Sequence, residues 1–380
     1  MIRVRGRDEP RSTTATGRAR AGATGRARAG VTGRAQDGQP TGQRSVRPAR
    51  NPRIFLWVPQ EEGILSRGRR SGWLGSVPGR HRKRKAAPTM TNRLSLGLVQ
   101  TAARHHAAGD PDAFAADVRG VIADHPDVRL LAYPELHLCG HQPGEDPRTV
   151  MTAAAEPLDG PRGARLSALA RELGIWLVPG TVYELGDDGR VYNTAPVYSP
   201  TGERVAAYRK IFPWLPHETT AAGDTFVVFD LPGHGRVGLT ICYDAWFPET
   251  TRHLAWQGAD LVLNLVRTPT VDRAQEVVLA RANAIVNQVF MASLNAAAPD
   301  GVGRSLVVDP EGRVRGEAGP GAEEVLTDVL DLAEARRVRE RGTEGMARVW
   351  DPFEEGRPPL ELPLYAGRVD PDRWRRGARP

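Results

Sequence analysis

From residue 94 onward, short apolar runs alternate with amphipathic stretches. Leu94–Gln100 (LSLGLVQ) alternates apolar with small or polar residues, the two-residue period of a strand. Over Pro111–Asp124 the positions Phe114, Val118, Val121 and Ile122 share one helical face, with Asp110 suited to the N-cap and Pro111 to the first turn. Val128–Tyr133 is apolar apart from Arg129, as a strand buried on both faces requires, and Pro134 ends it. Leu166, Leu169 and Leu173 predict a helix over Arg162–Leu173 that Gly174 closes. Strands are predicted at Ile175–Pro179, Val191–Tyr198 and Arg204–Tyr208, then at Phe226–Asp230 and Arg236–Cys242 across the turn LPGHG. A helix at Pro248–Gln257 and a strand at Ala259–Leu265 follow. The longest predicted helix is Val271–Gln288, whose Val271, Ala274, Val278, Ala282, Ile285 and Val289 form a single apolar stripe of the kind helices turn toward a core. Late strands are expected at Val289–Leu294, Arg304–Val308, Arg313–Ala318 and Val325–Leu330. Repeated strand–helix units imply an α/β layered domain of about 240 residues.

The first 89 residues break this pattern. Residues 15–38 read ATGRARAG-ATGRARAG-VTGRAQDG, three copies of an eight-residue motif whose apolar positions are only Ala and one Val. No copy buries enough surface to offset about 1–2 kcal/mol per residue of backbone ordering entropy. Charge divides at the same place: residues 1–89 hold 21 Lys and Arg against five acids, so a net +16 head precedes a −9 body. Such an arm is able to bind nucleic acid through phosphates, and HRKRK at 81–85 resembles a localisation patch. No aromatic residue interleaves with the repeat, which weakens single-strand binding. The expectation is therefore a disordered basic extension, 1–89, ahead of a natural start at Met90, with nucleic acid the rival partner. The tail after Arg336 is charged and then Pro-rich (RPPLELPLY). The expected division is 1–89, a folded body at 90–335, and a tail at 336–380 that packs on the body or a partner subunit. Two cysteines build no disulfide scaffold, so a cytoplasmic location is expected. No apolar stretch approaches the ~18 residues of a membrane span, and the Arg-rich start has no secretory apolar region.

Three residues carry the candidate chemistry. Cys242 ends an apolar strand and is followed by Tyr243-Asp244-Ala245-Trp246-Phe247-Pro248, with Pro248 opening a helix. A thiol between a strand end and a helix N-terminus is expected to have a lowered pKa, although a lone cysteine is more often inert and buried. Glu135 follows Pro134 at the C-terminal end of a strand, the edge where open α/β sheets build their sites. Lys210, in YRKIFPWLPHE, precedes the apolar frame Phe212-Pro213-Trp214. Taken singly, Glu135 reads as a solvated loop acid and Lys210 as an exposed lysine. His137, Cys139 and His141 have no zinc-type spacing and read as a loop near the pocket. GHGRVG at 233–238 reads as a hairpin turn with no helix behind it to bind phosphate.

In the order Glu, Lys, Cys, each at a strand end, these residues resemble the nitrilase superfamily of carbon–nitrogen hydrolases. The motifs are PE after an apolar strand, YRK followed by PW, CYD leading to FPE, and GRSLVVDPEGRV at 303–314. Within it, Lys210 and Glu218 stand eight apart, which resembles the aliphatic amidases and formamidases. The resemblance implies an αββα sandwich, no metal or organic cofactor, a small-molecule amide substrate and a homodimer or larger homo-oligomer. It implies Cys242 as nucleophile, Glu135 as base, Lys210 as oxyanion donor and Glu218 as a second glutamate orienting water or substrate. Phe212, Trp214, Tyr243 and Trp246 are candidate pocket walls, though aromatics at such spacings are more often plain core. Arg267 is a candidate for recognising an anionic group, with a surface arginine as the alternative. The competing activities are hydrolysis of an N-carbamoyl amine or β-ureido acid and, further off, of a nitrile.

Overall fold

The computed structural model describes residues 93–104, 111–140 and 144–353, together with 358 and 367. The described residues all lie within one compact unit, Arg82–Pro380. The extension 1–89, the start at Met90, the cap at Asp110, His141 and most of the Pro-rich RPPLELPLY segment lie outside the described residues.

Along the chain run β1 (Arg93–Gln100), α1 (Pro111–Asp124), β2 (Leu130–Ala132), α2 (Pro147–Ala154), α3 (Pro161–Leu173), β3 (Trp176–Val178) and β4 (Val182–Leu185). Next come β5 (Val191–Tyr198), β6 (Arg204–Arg209), β7 (Val228–Leu231), β8 (Gly235–Ile241), α4 (Pro248–Trp256), β9 (Leu261–Val266) and α5 (Arg273–Asn287). The last are β10 (Phe290–Asn295), β11 (Leu306–Val308), β12 (Val314–Glu317), β13 (Glu324–Asp331) and α6 (Ala333–Arg341). One sheet has the order β13-β1-β2-β3-β5-β4, with β6 also on β5; the other has the order β12-β11-β10-β9-β8-β7. The centre of each sheet is parallel, β1-β2-β3 and β8-β9-β10, and the flanking pairs are antiparallel.

The period-two pattern explains the layering. Leu94, Leu96 and Leu98 of β1 enter the apolar layer between the sheets, with Leu239 and Ile241 of β8 and Leu263 and Leu265 of β9. Alternate residues turn outward: Val99 and Leu131 pack with Phe114 and Val118 of α1 and Leu166 and Leu169 of α3. On the far side Val262 and Met291 pack with Leu254 of α4 and Val277, Ala280 and Ala284 of α5. Helix–sheet–sheet–helix layering is thus the αββα sandwich that the resemblance implied. Among the described residues no helix is long and apolar enough to cross a membrane.

One expectation is reversed. The stripe Val271, Ala274, Val278, Ala282 and Ile285 faces outward, and α5 instead buries Arg273, Glu276, Val277, Ala280, Asn283, Ala284 and Asn287. Polar residues occupy that face because each finds a partner inside: Arg273 bonds Glu276 and Ser293, and Asn283 donates to the Ala245 carbonyl. The pattern also concealed α2, β4 and α6. Helix α6 runs through the expected boundary at 335/336 and buries Ala335 and Val338.

Candidate active site

Glu135 and Cys242 follow the ends of β2 and β8, one strand from the parallel centre of each sheet. Behind Glu135 the chain turns sharply at Leu136, whose φ of 52° is left-handed. The Thr181 hydroxyl accepts the Leu136 N–H at 2.9 Å and fixes that turn. Gly180 allows it: φ there is +88°, and a Cβ would stand 2.1 Å from the Pro134 carbonyl oxygen. The Glu135 side chain is buried and its Oε1 accepts two hydrogen bonds, from Lys210 Nζ at 2.9 Å and from Asn193 Nδ2 at 2.8 Å.

Lys210 leaves β6 with its backbone N–H on the Asn193 carbonyl at 2.9 Å, so the strand pairing β5–β6 aims it inward. Its side chain is wholly buried and also donates to Glu218 Oε1 at 2.5 Å. Glu218 is held in turn by the Trp214 N–H on its other oxygen at 3.1 Å. Burial opposes the Lys210 charge, but Glu135, Cys242 and Glu218 outweigh it and hold the ammonium well above the ordinary lysine value. Burial and the neighbouring Glu135 raise the Glu218 carboxyl, against the pull of Lys210.

Cys242 begins a short 3₁₀ turn, Cys242–Trp246, at a φ of 46°. A left-handed β-carbon-bearing residue is costly unless its surroundings impose it. Asp244 supplies the constraint. Its buried carboxylate accepts the Ile241 N–H at 3.0 Å, the Phe212 N–H at 2.8 Å and the Tyr208 hydroxyl at 2.7 Å. One side chain thereby ties the exit of β8 to the Lys210 segment. The thiol is pushed well above its ordinary value, first by burial and then by Glu135, with Lys210 pulling the other way. The lowered thiol expected from a helix N-terminus is therefore corrected: burial and the nearby carboxylates dominate.

On its other side Cys242 Sγ lies 3.7 Å from the Thr268 hydroxyl, which donates to Glu276 Oε1 at 2.9 Å. Glu276 pairs with the buried Arg273 at 3.0 Å. A cavity of about 40 Å³ opens beside the thiol, bordered by Trp214, Glu218, Tyr243, Arg267, Thr268 and Glu276 among others. Phe212 and Trp246 are not among its walls; Phe212 stacks on Phe247 with ring centroids 3.7 Å apart. Arg267 reaches the cavity with its charge already paired to Asp300. His137 is buried against Tyr133 and Phe114, and burial lowers its pKa to about 3. Among the described residues no group of three or more His, Cys, Asp or Glu is arranged to hold a metal.

The structure therefore bonds Lys210 to Glu135 and Glu218 and brings their charges to bear on Cys242. Asn193, Thr268, Asp244 and Glu276 join these residues without having been singled out from sequence. The signal for Asn193 was an amide inside a strand buried along nearly its whole length.

The sequence model of the carbon-nitrogen hydrolase family matches residues 91–340. Omega-amidase NIT2 of Homo sapiens is 34% identical over 207 residues, covering 49% of this chain and 72% of that protein. A formamidase of Pseudomonas syringae pv. tomato is 29% identical over 259 residues, covering 65% and 75%. Among solved structures, Saccharomyces cerevisiae Nit3, a member of branch 10 of the nitrilase superfamily, superposes with a TM-score of 0.58 at 27% identity, covering 65% of this chain and 93% of that one. A mutant amidase from Nesterenkonia sp. AN1 in complex with butyramide gives 0.53 at 27% identity, covering 65% and 94%.

Proposed function

The chain belongs to the carbon-nitrogen hydrolase family of the nitrilase superfamily, and from that premise we propose that it is an amidase that cleaves the C–N bond of a small amide through a thioester on Cys242. The observation that carries the reading is the wholly buried Lys210 ammonium, bonded to Glu135 and Glu218 and set in the field of the Cys242 thiol.

The chemistry follows from that geometry. Glu135 takes the Sγ proton as the sulfur attacks the amide carbon, forming the C–S bond. Two protons of Lys210 are committed to Glu135 and Glu218, and the third is available for the developing oxyanion. The Tyr243 backbone N–H, one residue past the nucleophile, is the second oxyanion donor; such a donor contributes about 3–4 kcal/mol. Glu135 returns its proton to the departing nitrogen, the C–N bond breaks, and ammonia or an amine leaves. A water then gives Glu135 a proton and its oxygen attacks the thioester. The C–S bond breaks, the carboxylic acid departs and the thiol recovers its proton. Glu218 steadies Lys210 and orients water or substrate. No step requires a metal or organic cofactor.

A homodimer or larger homo-oligomer is supported by α5, which exposes Val278, Ile285 and Val286, with Val271 exposed just before it. A reducing, cytoplasmic setting suits a nucleophile that must remain a thiol.

An ammonia-release screen tests the reading, run over formamide, short aliphatic amides, ω-amides, carbamoyl amines and nitriles. Release from a short amide is expected, abolished in Cys242→Ala and severely lowered in a folded Glu135→Gln. Retained hydrolysis in Cys242→Ala would end the thioester mechanism. Preference for carbamoyl amines or nitriles would move the substrate class while leaving the nucleophile in place.

A further inference from the structure

Resting on the amidase reading above, we propose that Asp300 sets the acyl preference of this centre: by holding Arg267 it directs the cavity to short uncharged acyl groups and against those bearing a carboxylate. The cavity at Cys242 is about 40 Å³, roughly three times the ~10–15 Å³ that admits one water. It therefore suits an acyl chain of a few heavy atoms. Its walls are rich in acids: Glu218, Asp272 and Glu276 all border it.

A substrate carboxylate in such a place needs a cation with free donors. Lys210, Arg273 and Arg267 stand nearby among the described residues, and each is committed. Lys210 serves Glu135 and Glu218. Arg273 serves Glu276, Ser293 and the Arg304 carbonyl. Arg267 borders the cavity yet pairs with Asp300, and their side chains are only 15% and 10% exposed. Asp300 is itself anchored, since its other oxygen accepts the Ala103 N–H at 2.9 Å. Drawing Arg267 away would leave a buried carboxylate without its counter-ion, which is a strongly unfavourable exchange. Asp300 thus acts through Arg267 as a positioning residue and does not touch substrate.

The test compares ammonia release from butyramide and from succinamate, a carboxylated amide of similar length, by the full chain and by Asp300→Asn. The wild type should favour butyramide in kcat/KM by about 100-fold or more, as like-charge juxtaposition costs. Asp300→Asn keeps an acceptor for Ala103 and frees Arg267. It should narrow that ratio about tenfold or more, through a lower KM for succinamate with little change in its kcat. Adding Arg267→Leu should widen the ratio again. Should Asp300→Asn fail to fold, the wild-type ratio decides alone. Wild-type use of succinamate equal to or better than butyramide overturns the proposal, and so does an unchanged ratio in a folded Asp300→Asn. Turnover of neither amide also overturns the proposal, and only silence toward formamide and the other short amides as well removes the amidase reading itself, a different pattern from either.

Discussion

Lys210 is the residue on which the charges of the site balance. A carboxylate beside a thiol works against thiolate formation, and a second carboxylate works harder still. One buried ammonium between Glu135 and Glu218 lets both acids share the cavity. The cost appears at Glu218, whose carboxyl is raised by burial and by Glu135. As pH falls, Glu218 therefore protonates earlier than an ordinary glutamate and loosens its hold on Lys210. The acid limb of kcat/KM is expected above pH ~4.5. Glu218→Gln should flatten that limb and lower the plateau, read from pH–rate profiles of the two proteins; an unmoved limb would detach Glu218 from the titration. At this scale Glu135, Lys210 and Cys242 were legible because each ends a strand within a short motif. Asn193 and Thr268 were not. Asn193 meets Glu135 from 58 positions away and Thr268 meets Cys242 from 26, so pairing of distant strands, not local spacing, brings them in.

Between elements the decisive contact is Asp244, which joins the exit of β8 to the end of β6. Burial pushes its carboxyl up to about 6, against Lys210 and three hydrogen-bond donors. A folded pKa above the unfolded value of ~3.9 means that the folded state holds this proton more tightly. The group's contribution to stability then declines as pH rises from about 4 to about 6, by about 3 kcal/mol at most, and is level above that. Asp244→Asn should destabilise the protein by about 1–3 kcal/mol, because an amide cannot accept from all three donors. Urea unfolding should find the gap between wild type and variant larger at pH 4.5 than at pH 7. A gap that widens toward pH 7 would mean that the donors, not burial, govern this carboxyl. Strands with a clean period of two were readable at this scale, as β1 is. Helix α5 misled because its apolar stripe and its buried face are different faces: Glu276 and Arg273 satisfy each other inside, leaving Val278 and Ile285 outside. Helix α6 offers only small apolar side chains and Val338 among charges, too weak a period to read.

For the whole molecule, the αββα layering was legible from alternating strands and helices together with the motif resemblance. That the apolar stripe of α5 lies outside was not, since a stripe on an outer face looks in sequence like one that buries in its own core. Val278→Arg with Ile285→Arg should convert a homo-oligomer to monomers in sedimentation velocity while leaving the fold intact, and a monomeric wild type would contradict the assignment of that face. Removal of residues 1–89 should leave hydrolysis and melting temperature unchanged if the basic arm serves no catalytic purpose. Salt-sensitive nucleic-acid retention lost on the same deletion would give the arm a role of its own.

The central claim is that a covalent acyl group passes through the sulfur of Cys242. Rapid acid quenching of the protein with a short amide substrate, followed by peptide mass spectrometry, addresses it directly. The account predicts the mass of the acyl group on the peptide containing Cys242, formed together with ammonia and absent in Cys242→Ala. Steady ammonia release with that peptide unmodified at every time, and equal release by Cys242→Ala, would contradict it.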